Sequence, residues 1–131
     1  MYYINSMMIN KQGKNMKYQL LQIHLTDAEV DKVNAEGHNS VPKQTMKLDM
    51  SVGFGKKIAP IAKKALELGY YTHVSNITAD SLNGVFEIGN IGPEENIERL
   101  APMHSVSVAD IIVDEAGNKN VVASMGFEEV I

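Results

Sequence analysis

The sequence predicts one α+β domain: a small mixed sheet of about five strands, with a C-terminal β-hairpin and two to three helices packed on it. Three observations lead there. Short alternating segments are interleaved with segments of helical spacing, which gives the order β-α-β-α-β-α-β-β. The 131 residues carry 44% hydrophobic and 21% charged side chains, enough for one buried core. No internal repeat, linker or low-complexity stretch divides the chain, so residues 16–131 form a single domain behind a flexible leader at 1–15.

Each element has its own signal. In KYQLLQIHL (17–25), Leu21, Ile23 and Leu25 alternate with Tyr18, Leu20, Gln22 and His24, which predicts a central or half-covered strand. Thr26 fits a helix N-cap, Glu29 completes a capping box, and Gly37 fits the C-terminal stop of a helix over 27–36. That helix has only Ala28, Val30 and Val33 to bury. HNSVPK (38–43) reads as a loop. Met46, Leu48 and Met50 alternate with polar residues, which predicts a second short strand. After GFGKK (53–57), Ile58, Ile61, Ala62, Ala65, Leu66 and Leu68 recur at helical spacing, with Pro60 in the first turn and Gly69 closing the helix.

YYTHVSNI (70–77) is aromatic and β-branched, hence a strand. A short helix over 80–87 is expected to turn Leu82, Val85 and Phe86 inward, and Glu94–Leu100 to add a helical turn or two. SVSVADIIV (105–113), DEAGN (114–118) and KNVVAS (119–124) predict a hairpin, with Gly117 and Asn118 at positive φ. MGFEEVI finishes the sheet or packs on it.

The net charge of −4 conceals a division. Residues 1–64 hold ten lysines against five acids, and residues 65–131 hold two bases against eleven acids. A basic binding face, a head-to-tail contact between subunits, or pairing of the two halves within one chain would each account for it. Only one of the twelve bases is arginine, which weakens a nucleic-acid reading, because arginine makes the bidentate contacts to guanine and phosphate. The absence of cysteine excludes disulfides, thiolate metal sites and a cysteine nucleophile. With no 18-residue apolar run and no secretory pattern in Met1–Lys17, the expected location is the cytoplasm, without membrane attachment.

Chemistry-bearing patterns are sparse. GFGKK leads into a helix start, where glycines and the helix dipole suit an anion, although the spacing matches neither a P-loop nor a dinucleotide fingerprint. Lys56, Lys57, Lys63 and Lys64 can share one ridge and so contact phosphate or nucleic acid. Tyr71 and His73 fall on one strand face, a platform on which a base could stack, although such a pair more often edges a core. The four histidines lack metal-ligand spacing, and no metal or cofactor is expected. Ser105 and Asp110 stand too far apart along a strand to make a triad with His104. Adjacent carboxylates at 94–95, 114–115 and 128–129 read as solvated surface.

The C-terminal 60 residues present an order: a tyrosine-bearing strand, SLNGVFEIGN, a Pro-Glu segment, then HSVSVADIIV, GNKNVVASMGFEEV. This order resembles the YodL-like domain of small proteins from bacteriophages and conjugative elements. Leu82, Phe86 and Asn90, His104 and Ser105, Ser107, Val108 and Asp110–Val113, and Ser124, Gly126 and Phe127 carry the likeness; Ala109 departs from it. The resemblance implies an accessory domain on mobile DNA with no established catalytic residues. The motif residues Phe86, Asn90, His104, Ser105, Ser107, Asp110, Gly126 and Phe127 also suit a purely structural role: Asp110 bonding a neighbouring amide, Gly126 permitting a tight turn, Phe127 anchoring the chain end.

The function expected is therefore that of a non-catalytic accessory protein of a phage or mobile element that binds a host protein. The alternatives are a nucleic-acid or nucleotide-phosphate binder using the lysine ridge, and a virion or assembly protein made by homo-oligomeric contacts.

Overall fold

The computed structural model describes residues 16–52 and 56–131; the expected leader and the glycines of GFGKK lie outside the described residues. Its elements are β1 (Met16–Ile23), α1 (Asp27–Glu36), α2 (Pro42–Ser51), α3 (Ala59–Glu67), β2 (Tyr71–Ala79), α4 (Leu82–Ile91), β3 (Ile97–Arg99), β4 (Ile111–Val113), β5 (Lys119–Ala123) and β6 (Gly126–Val130). The class is α+β. The sheet has six strands in the order β3-β2-β1-β4-β5-β6. Every neighbouring pair is antiparallel, so the sheet is not mixed. Among the described residues no helix is long and apolar enough to cross a membrane.

Strand β1 is central, as its two-sided alternation predicts, and the sheet has a separate core on each face. Tyr18 and Leu20 join Val74, Ile77, Val85, Ile112 and Val122 in one core, under α4. Ile23 joins Met50, Ile58, Ala62, Ala65, Ile111 and Val121 in the other, under α2 and α3. Between the β1–β2 pairs Leu20↔Ser75 and Leu21↔His73, the register shifts by one residue. Val74 is the extra residue of this bulge, and both Val74 and Ser75 are buried.

The Thr26 capping box forms as expected, with the Glu29 amide donating to Thr26 Oγ1 at 3.2 Å and the Thr26 amide to Glu29 Oε1 at 2.8 Å. The narrow stripe expected of α1 is not buried, and Val30 remains 40% exposed. Residues 46–50 are helical, not a strand. Pro42 opens α2, and Met46 and Met50, four apart, face the second core, a spacing that the alternation with Leu48 masked. The expected loop at 38–43 is a 3-10 turn, His38–Ser40, running into this helix.

Two further corrections concern the C-terminal half. Glu94–Asn96 is a 3-10 turn, and Ile97–Arg99 then pairs with β2 as an edge strand instead of continuing as helix. The strand expected over 105–113 shrinks to 111–113. A turn interrupts it, in which the Asp110 amide donates to the Ser107 carbonyl at 3.1 Å and Ala109 stands at φ 86°. The predicted hairpin forms, but Gly117 alone takes positive φ. The Asp114 carboxylate closes the turn by accepting from the Ala116 and Asn118 amides, each at 2.9 Å.

Candidate functional site

Gln22 falls on the α4 face of β1, in line with Leu20 but beyond the reach of α4, and residues 104–110 close over it. It is completely buried. A buried primary amide needs partners for two N–H groups and one carbonyl, and here the chain supplies them from one loop. Gln22 Nε2 donates to the His104 carbonyl at 2.9 Å and to Asp110 Oδ2 at 3.0 Å, with the Ser105 carbonyl at 3.5 Å. Gln22 Oε1 accepts from the His104 amide at 3.1 Å and lies 3.1 Å from His24 Nε2. Asp110 Oδ2 also accepts from the Ser107 amide at 3.0 Å. His104 Nδ1 lies 2.8 Å from the Ser105 carbonyl, which can only accept, so Nδ1 carries the proton. The 3.2 Å approach of Gln22 Nε2 to the same atom is then not a hydrogen bond, and His104 Nε2 is left buried without a partner.

Around this knot, the His24 and His104 rings stack at 5.3 Å and 13°. The Tyr71 hydroxyl donates to the Ala109 carbonyl at 2.6 Å, holding the residue at positive φ. Asp110 is 1% exposed. Burial pushes its carboxyl up to about 7, against the opposing pull of the Ser107 amide, the Gln22 amide and the charge of Lys47. Burial also lowers the His24 imidazole below its ordinary value, helped by His104, Lys47 and Lys43. Lys43 Nζ is itself held by the His24 carbonyl at 2.9 Å and Glu29 at 3.0 Å, and Lys47 Nζ approaches the Ile23 carbonyl at 3.4 Å.

His104 and Ser105 form one wall of an open cleft of about 490 Å³, whose other walls include Asn90, Gly92, Glu94 and Arg99. Arg99 binds Glu94 through two nitrogens at 2.6 and 3.0 Å, holding the Glu94 carboxyl below its usual range. Asn90 Nδ2 donates to the Phe86 carbonyl at 2.7 Å and the Val106 carbonyl at 3.0 Å, tying α4 to the loop. Five of the motif residues, Asn90, His104, Ser105, Ser107 and Asp110, thus meet in one region. Phe86 does not turn into the core as expected; it is 41% exposed, on the outer side of α4. Phe127 is half-buried against the first core, and Gly126, at φ 101°, follows the β5–β6 turn; with Phe86 they line a separate small groove.

Lys56, Lys57, Lys63 and Lys64 are all exposed. The helix start beside them is already filled. The Ile58 and Ala59 amides both donate to Glu128 Oε1, at 2.8 and 2.9 Å, so Glu128 is a helix cap and not solvated surface. Any anion there would have to be held by the lysines alone. Tyr71 offers no platform for a base, because its ring is turned into the second core. His73 Nε2 is engaged by Asn76 Oδ1 at 2.8 Å. Among the described residues, no three His, Asp or Glu side chains are placed to hold a metal ion.

Gln22, His24 and Glu128 escaped the sequence reading. A glutamine at an inward position of an apolar central strand is the signal for the first; nothing local announces the others. Comparison with protein-family models, with curated proteins and with solved structures finds no match to this chain.

Proposed function

We propose that this chain is a non-catalytic accessory protein that binds another protein, a host protein if the chain comes from a phage or mobile element, through the acidic rim formed by α4, β3 and the loop to residue 105. The observation that carries this reading is the distribution of charge over the two faces of the sheet. On the α4 side Asp80, Glu87, Glu94 and Glu95 stand against Arg99 alone, and Arg99 is bound to Glu94, while Glu98, bonded by Asn76, points to the opposite face. Residues 42–67, on the other side, hold six lysines against two acids. Among the described residues the ion pairs are Lys43–Glu29 and Arg99–Glu94, each within its own half of the chain, so neither half neutralises the other. Ile91 and Leu100 on the rim are 83% and 51% exposed, which gives the acidic surface apolar anchors. Such a surface suits a basic partner face with apolar residues at its centre.

The buried network favours a binding role. Asp110 and Gln22 have no exposed surface to offer a substrate, and their hydrogen bonds hold the cleft wall in place.

The test is affinity capture from lysate of the natural host, with the Glu87→Lys/Glu95→Lys protein in parallel. Proteins retained by the wild-type chain at 50 mM salt, and lost both at 500 mM and with the double variant, support the reading. Retention unaffected by salt and by the two changes overturns it. The exposed lysine face supports a second reading, polyanion binding, for which retention on single-stranded DNA abolished by glutamine at Lys56, Lys57, Lys63 and Lys64 is the measurement.

A further inference from the structure

We propose that Gln22 and Asp110 form a proton-controlled latch on the cleft wall: when Asp110 ionises, the His104–Ser105 segment is released from β1. This rests on the reading of the rim as the binding surface only for its consequence; the latch itself is a property of the isolated chain.

The argument begins with the number of protons available. The Gln22 amide has two N–H groups, and three acceptors lie within 3.5 Å of its nitrogen: the carbonyls of His104 and Ser105 and the carboxylate of Asp110. With Asp110 neutral, its carboxyl is a weak acceptor and the His104 and Ser105 carbonyls hold the amide. Once charged, the carboxylate becomes the strongest acceptor in reach, because hydrogen bonds to ionised groups are about twice as strong as neutral ones. It draws the amide toward itself, and the two carbonyls of the cleft wall are left to share what remains.

Among the described residues no cation bonds the carboxylate, and Lys47 acts on it only through space. Two groups among these residues donate to Asp110, the Gln22 side chain and the Ser107 amide, and neither is charged. The charged and titratable groups that act on it are Lys47 on α2 and Tyr71 on β2, and around the Gln22 network stand Lys43 on α2, His24 just past β1 and His104 in the loop. Lys47 lies toward the Ile23 carbonyl, and Lys43 is held between Glu29 and the His24 carbonyl. The imidazole of His24 is disfavoured as a cation by its own burial, and Tyr71 bonds Ala109 instead of the carboxylate. Ionisation therefore leaves a nearly buried charge with hydrogen bonds but without a bonded counter-ion, Lys47 attracting it only from a distance, the arrangement that loosens in favour of water. The elevated titration of this carboxyl, about 7, puts the change in the physiological range.

The other anchors of the loop identify the part that moves. Ala109 and Asp110 remain fixed to β5 by the Ala109 amide on the Val122 carbonyl at 2.9 Å and the Val122 amide on the Asp110 carbonyl at 2.8 Å. Val106 is buried in the first core and bonded by Asn90. His104 and Ser105 depend on Gln22 and on the stacked His24 ring. The latch thus acts on the two loop residues that line the cleft.

Amide hydrogen exchange of the full chain, read residue by residue by NMR and corrected for intrinsic rates, tests this between pH 6 and pH 8.5. The His104 amide, which donates to Gln22 Oε1, is expected to lose about tenfold protection across this interval while the amides of β2 do not change. In the Asp110→Asn protein, which mimics the neutral acid, His104 protection is expected to be the same at both values. A parallel loss at all amides, an unchanged His104 in the wild type, or an unaltered pH dependence in Asp110→Asn overturns the latch. Should Asp110→Asn fail to fold, the wild-type titration of the Asp110 carboxyl carbon decides alone: its midpoint must coincide with that of the His104 and Ser105 amide shifts, and separate midpoints refute the coupling. None of these readings involves a partner, so failure of the rim to capture a protein leaves the latch standing, and the reverse holds equally.

Discussion

Replacing Glu128 removes the hydrogen bonds by which β6 caps the start of α3, and the structure allows their size to be worked out. The Glu128 carboxylate accepts from the Ile58 and Ala59 amides at 2.8 and 2.9 Å, and Ile58 contributes no side-chain cap of its own. Alanine at 128 leaves two donors at a half-buried helix end without a partner. Loss of a capping side chain costs about 0.5–2 kcal/mol, and removal of a charge from a helix N-terminus about 0.3–1 kcal/mol. The two overlap, so Glu128→Ala is expected to cost about 2 kcal/mol. Glu128→Gln keeps an acceptor oxygen and loses only the charge, about 1 kcal/mol. Glu129→Ala, at the exposed neighbour, is expected to lie within about 0.5 kcal/mol of wild type. Urea unfolding followed by circular dichroism measures all three. In Glu128→Ala the vacated amides directly follow the exposed Lys56 and Lys57, so inorganic phosphate is expected to restore part of the loss while leaving the wild type unchanged. A Glu128→Ala protein as stable as wild type, or equal responses at 128 and 129, would refute the capping argument.

Other changes test other contacts. A Cβ on Gly89 would stand 2.2 Å from Val106 Cγ2, and valine has little rotamer freedom with which to yield, so Gly89→Ala is expected to lose about 1–3 kcal/mol in the same urea assay. Gln22→Leu fills the space but strands Asp110 and the His104 amide, and a loss of about 3 kcal/mol or more is expected in thermal unfolding. For Asp110 the native carboxyl titrates higher than the unfolded one, so the native state binds the extra proton and stability falls as pH rises from about 4 to about 7. The difference from Asp110→Asn across that range is expected to be on the order of 3–4 kcal/mol at most. His24 acts in the opposite sense: its lowered value withdraws stability below pH 6.5. The comparison with Asp110→Asn, and not the wild-type curve alone, isolates the carboxyl.

The parts of the fold that the sequence made legible are those whose signals are local. The Thr26 capping box, the Gly37 stop, the helix from Ala59 and the 114–118 hairpin turn each depend on residues within a few positions of one another. Errors arose where two periods agree over a short stretch. Met46 and Met50 satisfy alternation and an i, i+4 spacing alike, and only packing against the second core selects the helix. At 105–110, apolar alternation pointed to a strand, yet the Asp110 side chain bonds the Ser107 amide and competes successfully with the ladder. Asp110 as a partner of a neighbouring amide was therefore readable; its second partner, Gln22, 88 residues away, was not.

The same distinction applies to the charges. A count along the chain separates a basic half from an acidic one but cannot say whether the halves meet. Where carboxylates of the acidic half touch the basic one, they bond neutral donors: Glu128 on the Ile58 and Ala59 amides, Glu115 on the Lys17 amide at 2.9 Å, and Asp110 on the Gln22 side chain. None of these contacts pairs a carboxylate with a lysine side chain. Because α3 lies on one face of the sheet and α4 on the other, the sheet itself separates the lysines of α2 and α3 from the carboxylates of α4 and the 94–95 turn, while Glu98 and Glu128 fall on the α3 side. Beyond a Debye length of about 8 Å at physiological salt, exposed charges hardly interact, so each face presents its own sign to solvent. A partner approaching from the α4 side therefore meets an acidic surface, and one approaching from the α3 side meets a basic one.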